Sequence, residues 1–251
     1  MINHEHKCIF IHIPKNAGSS VERAFGYTKH IKGKGKHDPA WVNKGYWHKN
    51  QIGREYPIPK IYPSPHNDPS YAECWDEYFK FAIVRNPWSR LVSSYKYDIQ
   101  IANTDSVVEN PDSESSEKWL RTRRDFLKKF HDKYGDTFDG FVKSLSEPGN
   151  CHGYKWLGSD YEWVKWHGLS QITFVVDETR QNCMDMIVKM ENLNEEWPKV
   201  CARIGADLEL PHVNRAKGKH YTEYYNDSTC NVVAERYAKD IEYFGYSFGE
   251  C

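Results

Sequence analysis

Phe10-Ile11-His12-Ile13-Pro14-Lys15-Asn16-Ala17-Gly18-Ser19-Ser20 decides how this chain folds. Cys8-Ile9-Phe10-Ile11 is a compact apolar run of the kind buried on both faces of a parallel sheet, so a strand is expected over residues 7–13, ending at Pro14. Turn residues, one glycine and two hydroxyls follow. Val21, Ala24 and Phe25 then return at helical spacing up to Gly26. A strand, a polar glycine-containing loop and a helix in succession form a phosphate cradle. N–H groups at the helix start and the Ser19 and Ser20 hydroxyls bind the anion, and Lys15 supplies a mobile point charge. The competing structural reading leaves Lys15 in solvent and the serines as helix caps.

The layout occurs twice. Residues 79–84 form a second buried apolar run, followed by Arg85-Asn86-Pro87 and a helix from Trp88 with Pro87 near its first turn. Arg85 leaves the carboxyl end of its strand, where ligands sit in open parallel sheets. Ser93 lies eight residues on, about two helical turns inward, so both can reach one phosphate. Arg90 is expected to make a surface ion pair.

Elsewhere the pattern is less regular. Residues 29–69 read as a long excursion rich in Gly, Pro, Lys, His and Trp, and residues 103–116 as an exposed acidic loop. Helices are expected over 117–133, 138–145 and 193–204, the last ended by Gly205, and a final helix capped by Ser228 runs to about Phe244. Residues 172–176 read as a strand, and residues 184–190 as strand or helix.

With 251 residues, 39% hydrophobic and 15% aromatic, the chain is long enough for one sizeable core and short for two, so a single domain over 1–251 is expected. Lys plus Arg number 34 against 35 Asp plus Glu, a balance that argues against wholesale binding to nucleic acid or an anionic membrane and makes any anion site local. No signal-peptide pattern opens the chain and no stretch approaches ~18 apolar residues, so the expected location is cytoplasmic, with no membrane span. Seven cysteines without C-x-x-C spacing argue against a zinc site or a disulfide framework. Neither composition nor spacing speaks to oligomeric state.

The loop from Phe10 to Ser20 resembles the 5′-phosphosulfate loop of the sulfotransferases that use 3′-phosphoadenosine 5′-phosphosulfate (PAPS). Tyr78-Phe79-Lys80-Phe81-Ala82-Ile83-Val84-Arg85-Asn86-Pro87-Trp88-Ser89-Arg90-Leu91-Val92-Ser93-Ser94-Tyr95 is similar to the same family's 3′-phosphate motif. A third block, Leu210-Pro211-His212-Val213-Asn214 through Tyr221, Tyr224-Tyr225, Asp240-Ile241 and Phe244-Gly245-Tyr246, resembles the carboxyl-terminal signature of bacterial-type carbohydrate members.

The resemblance implies an α/β three-layer P-loop-type fold with a mostly parallel central sheet. It also implies PAPS as sulfuryl donor without a metal, and a glycan or other small-molecule acceptor. The nucleotide would be held by Lys15, Asn16, Ala17, Gly18, Ser19, Ser20, Arg85 and Ser93, with Arg215, Lys217 and Lys219 closing over it. Glu191 is read as structural. The acceptor-activating base falls between the two phosphate motifs. His37 stands first, because Lys36-His37-Asp38-Pro39-Ala40 resembles a short family segment, and His66 second, with His30 and His48 also in that region. An imidazole suits the task, since an ordinary pKa of ~6.5 leaves it largely neutral at pH 7.

Two other readings compete. A P-loop kinase would present G-x-x-x-x-G-K-[ST] and a strand-end Asp for magnesium, but Lys15 precedes the only loop glycine and the second strand ends in Arg85. A non-catalytic module binding nucleotides or sulfated glycans would bind adenosine 3′,5′-bisphosphate without transferring sulfate.

Overall fold

The computed structural model describes residues 1–26, 74–103, 114–146, 168–177, 179–211 and 219–250. Among these, one sheet runs in the spatial order β1 (Ile2–Asn3), β2 (Cys8–Ile11), β3 (Phe79–Val84) and β4 (Met186–Lys189). β2, β3 and β4 are parallel, with Ile11 opposite Ala82 and Val84 opposite Lys189, while β1 adds an antiparallel edge with Ile2 opposite Ile9. A two-residue strand carries no alternation to read, which is why β1 leaves no mark in the sequence pattern.

The helices are α1 (Gly18–Ala24), α2 (Pro87–Asn103), α3 (Glu114–Tyr134), α4 (Phe138–Ser144), α5 (Ile172–Val175), α6 (Leu193–Ile204), α7 (Asp227–Arg236) and α8 (Ala238–Phe244). Each parallel strand is followed by a helix or helical turn, as right-handed crossovers of a parallel sheet require.

Strand side chains alternate between two apolar layers. Ile9, Ile11, Ala82 and Val84 face a cluster with Trp75, Phe174, Val175, Phe244 and Tyr246. Cys8, Phe10, Phe81, Ile83 and Val188 face the other way, against Val21 of α1 and Leu193, Trp197 and Val200 of α6. The sheet is thus covered on both faces, giving the expected three-layer α/β architecture. Phe10 and Phe81 pack with ring centroids 5.1 Å apart across β2 and β3, a contact worth ~0.5–1.5 kcal/mol beyond area burial. A further cluster of Trp88, Leu91, Leu127, Phe130, Phe141, Tyr221 and Tyr237 joins α2, α3 and α4 to the carboxyl-terminal helices.

Two local expectations need correction. Residues 172–175 are helical rather than extended. Ile172-Thr173-Phe174-Val175 has strand composition, but the Asp240 carboxylate accepts from Gln171 N (2.7 Å), Ile172 N (2.9 Å) and the Ser170 hydroxyl, so a helix cap is supplied from α8. The last helix is two helices meeting at Tyr237, and its cap is Asn226, whose side chain accepts from Thr229 N at 2.9 Å, rather than Ser228. Residues 186–189 settle as strand β4. α6 ends at Gly205 in the left-handed conformation (φ 63°), where a residue with a Cβ is strained.

Candidate active site

β2 delivers the chain to the loop at its carboxyl end. There Lys15 (φ 70°) and Ala17 (φ 57°) adopt the left-handed conformation, a cost of roughly 1–2 kcal/mol for each non-glycine residue and the sort of strain that functional loops retain. Ala17 is the N-cap of α1 and its carbonyl accepts from Ser20 N (2.9 Å) and Val21 N (3.2 Å). Alanine has no side chain to bond the first N–H groups of the helix, so a ligand oxygen meets no capping competitor there.

The loop glycine answers to packing rather than to turn geometry. A Cβ on Gly18 would stand 2.0 Å from His12 Nε2. That imidazole cannot easily withdraw, because it is buried and its Nδ1 lies 2.7 Å from Glu22 Oε1, itself buried, on the facing side of α1. The His12–Glu22 pair is therefore the floor on which the cradle is built.

The second loop meets the first directly. The half-buried Arg85 guanidinium donates through Nε to Ser89 Oγ (3.0 Å) and through Nη1 to the Lys15 carbonyl (3.3 Å). Burial lowers its pKa, and the nearby Glu191 carboxylate acts in the opposite sense. Ser89, Ser93 and Tyr97 follow at intervals of four and so share one face of α2. The two ends of that face are pinned by contacts: Ser89 accepts from Arg85, and the Tyr97 ring centroid lies 3.9 Å from Lys15 Nζ. Ser93 lies between them. Lys15 and Arg85, expected from the sequence to act together, thus meet at the carboxyl ends of β2 and β3, and Ser93 lies one turn beyond Ser89 along α2.

A buried amide network fixes the two loops relative to each other. Gln171 is fully buried, and its side chain pairs with the Arg85 backbone at two points, Oε1 accepting from Arg85 N (2.9 Å) and Nε2 donating to Arg85 O (2.7 Å). The same Oε1 accepts from Asn16 Nδ2 (2.7 Å), which also donates to Ile83 O (2.9 Å). The opposite amide orientation of Gln171 would set donor against donor at Arg85 N, so the network fixes which atom is oxygen. Asp240 holds the Gln171 backbone in turn. Burial raises the Asp240 pKa, while its three donors and the Arg90 guanidinium pull it back down.

Arg90 is not the surface residue expected from its spacing. It is 3% exposed and donates through Nε to Pro14 O (3.0 Å) and through Nη1 to Leu169 O (2.7 Å), so its partners are loop carbonyls rather than a carboxylate. Replacing Gln171 with leucine strands Arg85 N, Arg85 O and an Asn16 N–H in the interior. At ~1–3 kcal/mol for each unsatisfied buried group, a loss of about 3 kcal/mol or more is expected. The fall in the urea midpoint measures it.

The carboxyl-terminal block braces the start of α2. Asn86 N donates to Glu191 Oε1 (2.8 Å), the Tyr246 hydroxyl donates to Glu191 Oε2 (3.2 Å), and Asn86 Nδ2 donates to Ser247 O (2.9 Å). Glu191 is structural, as read from the sequence. Tyr225 Oη donates to Trp88 O (2.9 Å), and Trp88 Nε1 to Cys230 O (3.1 Å).

Lys219 is exposed, donates to Glu223 O (3.2 Å) and stands 4.8 Å from the Tyr224 ring, which Lys96 Nζ also approaches at 4.9 Å. Arg215, Lys217, His37 and His66 lie outside the described residues. Among the described residues no cluster of His, Cys, Asp or Glu is arranged to hold a metal, and no helix is long and apolar enough to cross a membrane.

Sequence reasoning missed His12, Glu22, Gln171 and the use of Arg90. Glu22 left one trace, a carboxylate beside Val21 in a helix too short to spare a buried position.

The cradle loop, the strand-end arginine and the three-layer sheet define a sulfotransferase-like site, and the chain belongs to the Sulfotransferase family, whose model matches residues 1–247. Among curated proteins it is similar to carbohydrate sulfotransferase 10 of Homo sapiens and of Pongo abelii, each 28% identical over 187 residues, covering 67% of this chain and 47% of the relative. The Gallus gallus protein of the same name is 26% identical over 192 residues, with the same coverage. The chain therefore spans about half the length of the curated relatives it matches. No solved structure matches it.

Proposed function

We propose that this chain transfers the sulfuryl group of PAPS to a hydroxyl of a carbohydrate acceptor. The observation that carries the reading is the meeting of the Lys15 and Arg85 loops at the ends of two parallel strands, locked together through Gln171. The relatives' names point to the acceptor class.

In this reading the Asn16, Ala17 and Gly18 backbone, the Ser19 N–H and the Ser19 and Ser20 hydroxyls hold the 5′-phosphosulfate. Arg85 and Ser93 hold the 3′-phosphate, and Arg215, Lys217 and Lys219 cover the nucleotide. The acceptor oxygen attacks sulfur in line as the bond from sulfur to the bridging oxygen breaks. Adenosine 3′,5′-bisphosphate leaves with that electron pair. Lys15 stabilises the charge growing on the departing oxygen, and a base takes the acceptor proton. His37 is assigned as that base, with His66 the second choice. A triphosphate substrate is disfavoured by the arginine at the end of β3, where a magnesium-binding carboxylate would belong.

Titration calorimetry tests the division of labour. Arg85→Ala is expected to weaken adenosine 3′,5′-bisphosphate binding by roughly 10- to 100-fold, the scale of lost charge-assisted hydrogen bonds, and to weaken adenosine 5′-phosphate binding far less. Equal affinity of wild type and Arg85→Ala for the bisphosphate removes Arg85 from the 3′-phosphate site.

A further inference from the structure

A lysine that must meet one oxygen in the transition state has a difficulty of its own. Its four-carbon stem is flexible, and an ammonium free in water loses about 2 kcal/mol of rotamer freedom when it is fixed. A contact that limits this freedom lies on α2, where the Lys15 ammonium sits 3.9 Å from the centre of the Tyr97 ring. The ring is half-buried, one turn beyond Ser93 on the helix face that also carries Ser89. The left-handed backbone at Lys15 (φ 70°) orients the root of the same side chain, and Arg85 Nη1 is bonded to its carbonyl.

We propose that Tyr97 is a positioning residue that holds the ammonium of Lys15 at the mouth of the cradle, through the face of its ring, ready for the leaving oxygen. A cation over an aromatic face is attracted by the ring quadrupole without forming a directional hydrogen bond, so this contact itself takes up none of the ammonium's N–H donors. A carboxylate in the same place would bind those donors and repel the nucleotide. An aromatic ring restrains the charge without neutralising it, which suits a group whose charge must be expressed only as the bond breaks. The inference rests on the sulfuryl-transfer reading for its catalytic part, whereas the contact itself stands apart from that reading.

The test combines a resonance with a rate. In protein labelled with 13C-lysine, the Lys15 ε-methylene signal, assigned by its loss in Lys15→Arg, is expected to be shifted upfield by the ring current of Tyr97. It should return to the ordinary lysine position in Tyr97→Leu and stay shifted in Tyr97→Phe. With PAPS and acceptor, Tyr97→Leu is expected to lower kcat by roughly 2- to 30-fold, the range of a cation–π contact, with little change in the Kd for adenosine 3′,5′-bisphosphate. The ring of Tyr97→Phe should restore the rate, and Tyr97→Leu should have no further effect in a Lys15→Met background.

An unshifted Lys15 signal in the wild type overturns the proposal without recourse to any variant that might fold poorly. So does a rate lost equally in Tyr97→Phe and Tyr97→Leu, which would place the effect in the hydroxyl. Absence of sulfuryl transfer by the wild type would sink the function and with it the catalytic part of the proposal, while the resonance still decides whether the contact exists.

Discussion

Lys15→Ala is expected to lower kcat by roughly 10²–10³-fold, the usual consequence of removing one preorganised donor from a site where charge develops, while nucleotide affinity falls much less. The structural basis is the position of Lys15 at the end of β2, with its carbonyl tied to Arg85 and its ammonium beside α2. An interaction that strengthens only as the bridging bond breaks shows in kcat. One that is equally strong in the ground state shows in KM. Single-turnover rates with saturating PAPS, set beside calorimetric affinity for adenosine 3′,5′-bisphosphate, separate the two. Near-normal turnover would remove Lys15 from the mechanism.

Gly18→Ala is expected to be the most damaging single-methyl change in the cradle. The added carbon would lie 2.0 Å from His12 Nε2, far inside contact distance, and the imidazole is held from its other side by Glu22 at 2.7 Å in a buried pocket. Overpacking of this kind costs typically 1–3 kcal/mol, and a target this rigid puts the expected loss near the top, about 3 kcal/mol. Relief requires moving the first turn of α1, so the N–H groups assigned to the phosphosulfate move with it and KM for PAPS rises as well. Urea unfolding and PAPS titration of the variant measure the two effects. An unchanged unfolding midpoint together with an unchanged KM would show that His12 does not brace the loop.

What the sequence disclosed follows from how local each signal was. β2 and β3 are short apolar runs ended by Pro14 and by Arg85-Asn86-Pro87, and their meaning does not depend on distant residues. α6 was equally legible, because Gly205 marks its end. α5 was not. Its residues prefer a strand, and they are helical because Asp240, 68 residues from Ile172, supplies the cap. Arg90 was misplaced for a related reason. A buried guanidinium can be held by backbone carbonyls such as Pro14 O and Leu169 O, and the carboxylate whose charge it feels, Asp240, is far away in the sequence.

Within the candidate site, Lys15, Arg85 and Ser93 could be named as candidates from the sequence because the two motifs carry them at fixed spacing. Gln171 escaped, since an amide 86 residues from Arg85 leaves no periodic trace, and yet it joins the two loops. The His12–Glu22 pair left no signal as a pair, because a buried imidazole and its carboxylate partner ten residues on have the same local sequence character as solvent-facing polar residues.

The central claim is tested most directly by incubating the protein with PAPS carrying labelled sulfur and a panel of glycan acceptors, and following the label. Sulfuryl transfer predicts label on an acceptor hydroxyl, stoichiometric release of adenosine 3′,5′-bisphosphate, and loss of both in Lys15→Ala. Tight binding of adenosine 3′,5′-bisphosphate with no label on any acceptor would contradict it and leave a nucleotide-binding module in its place.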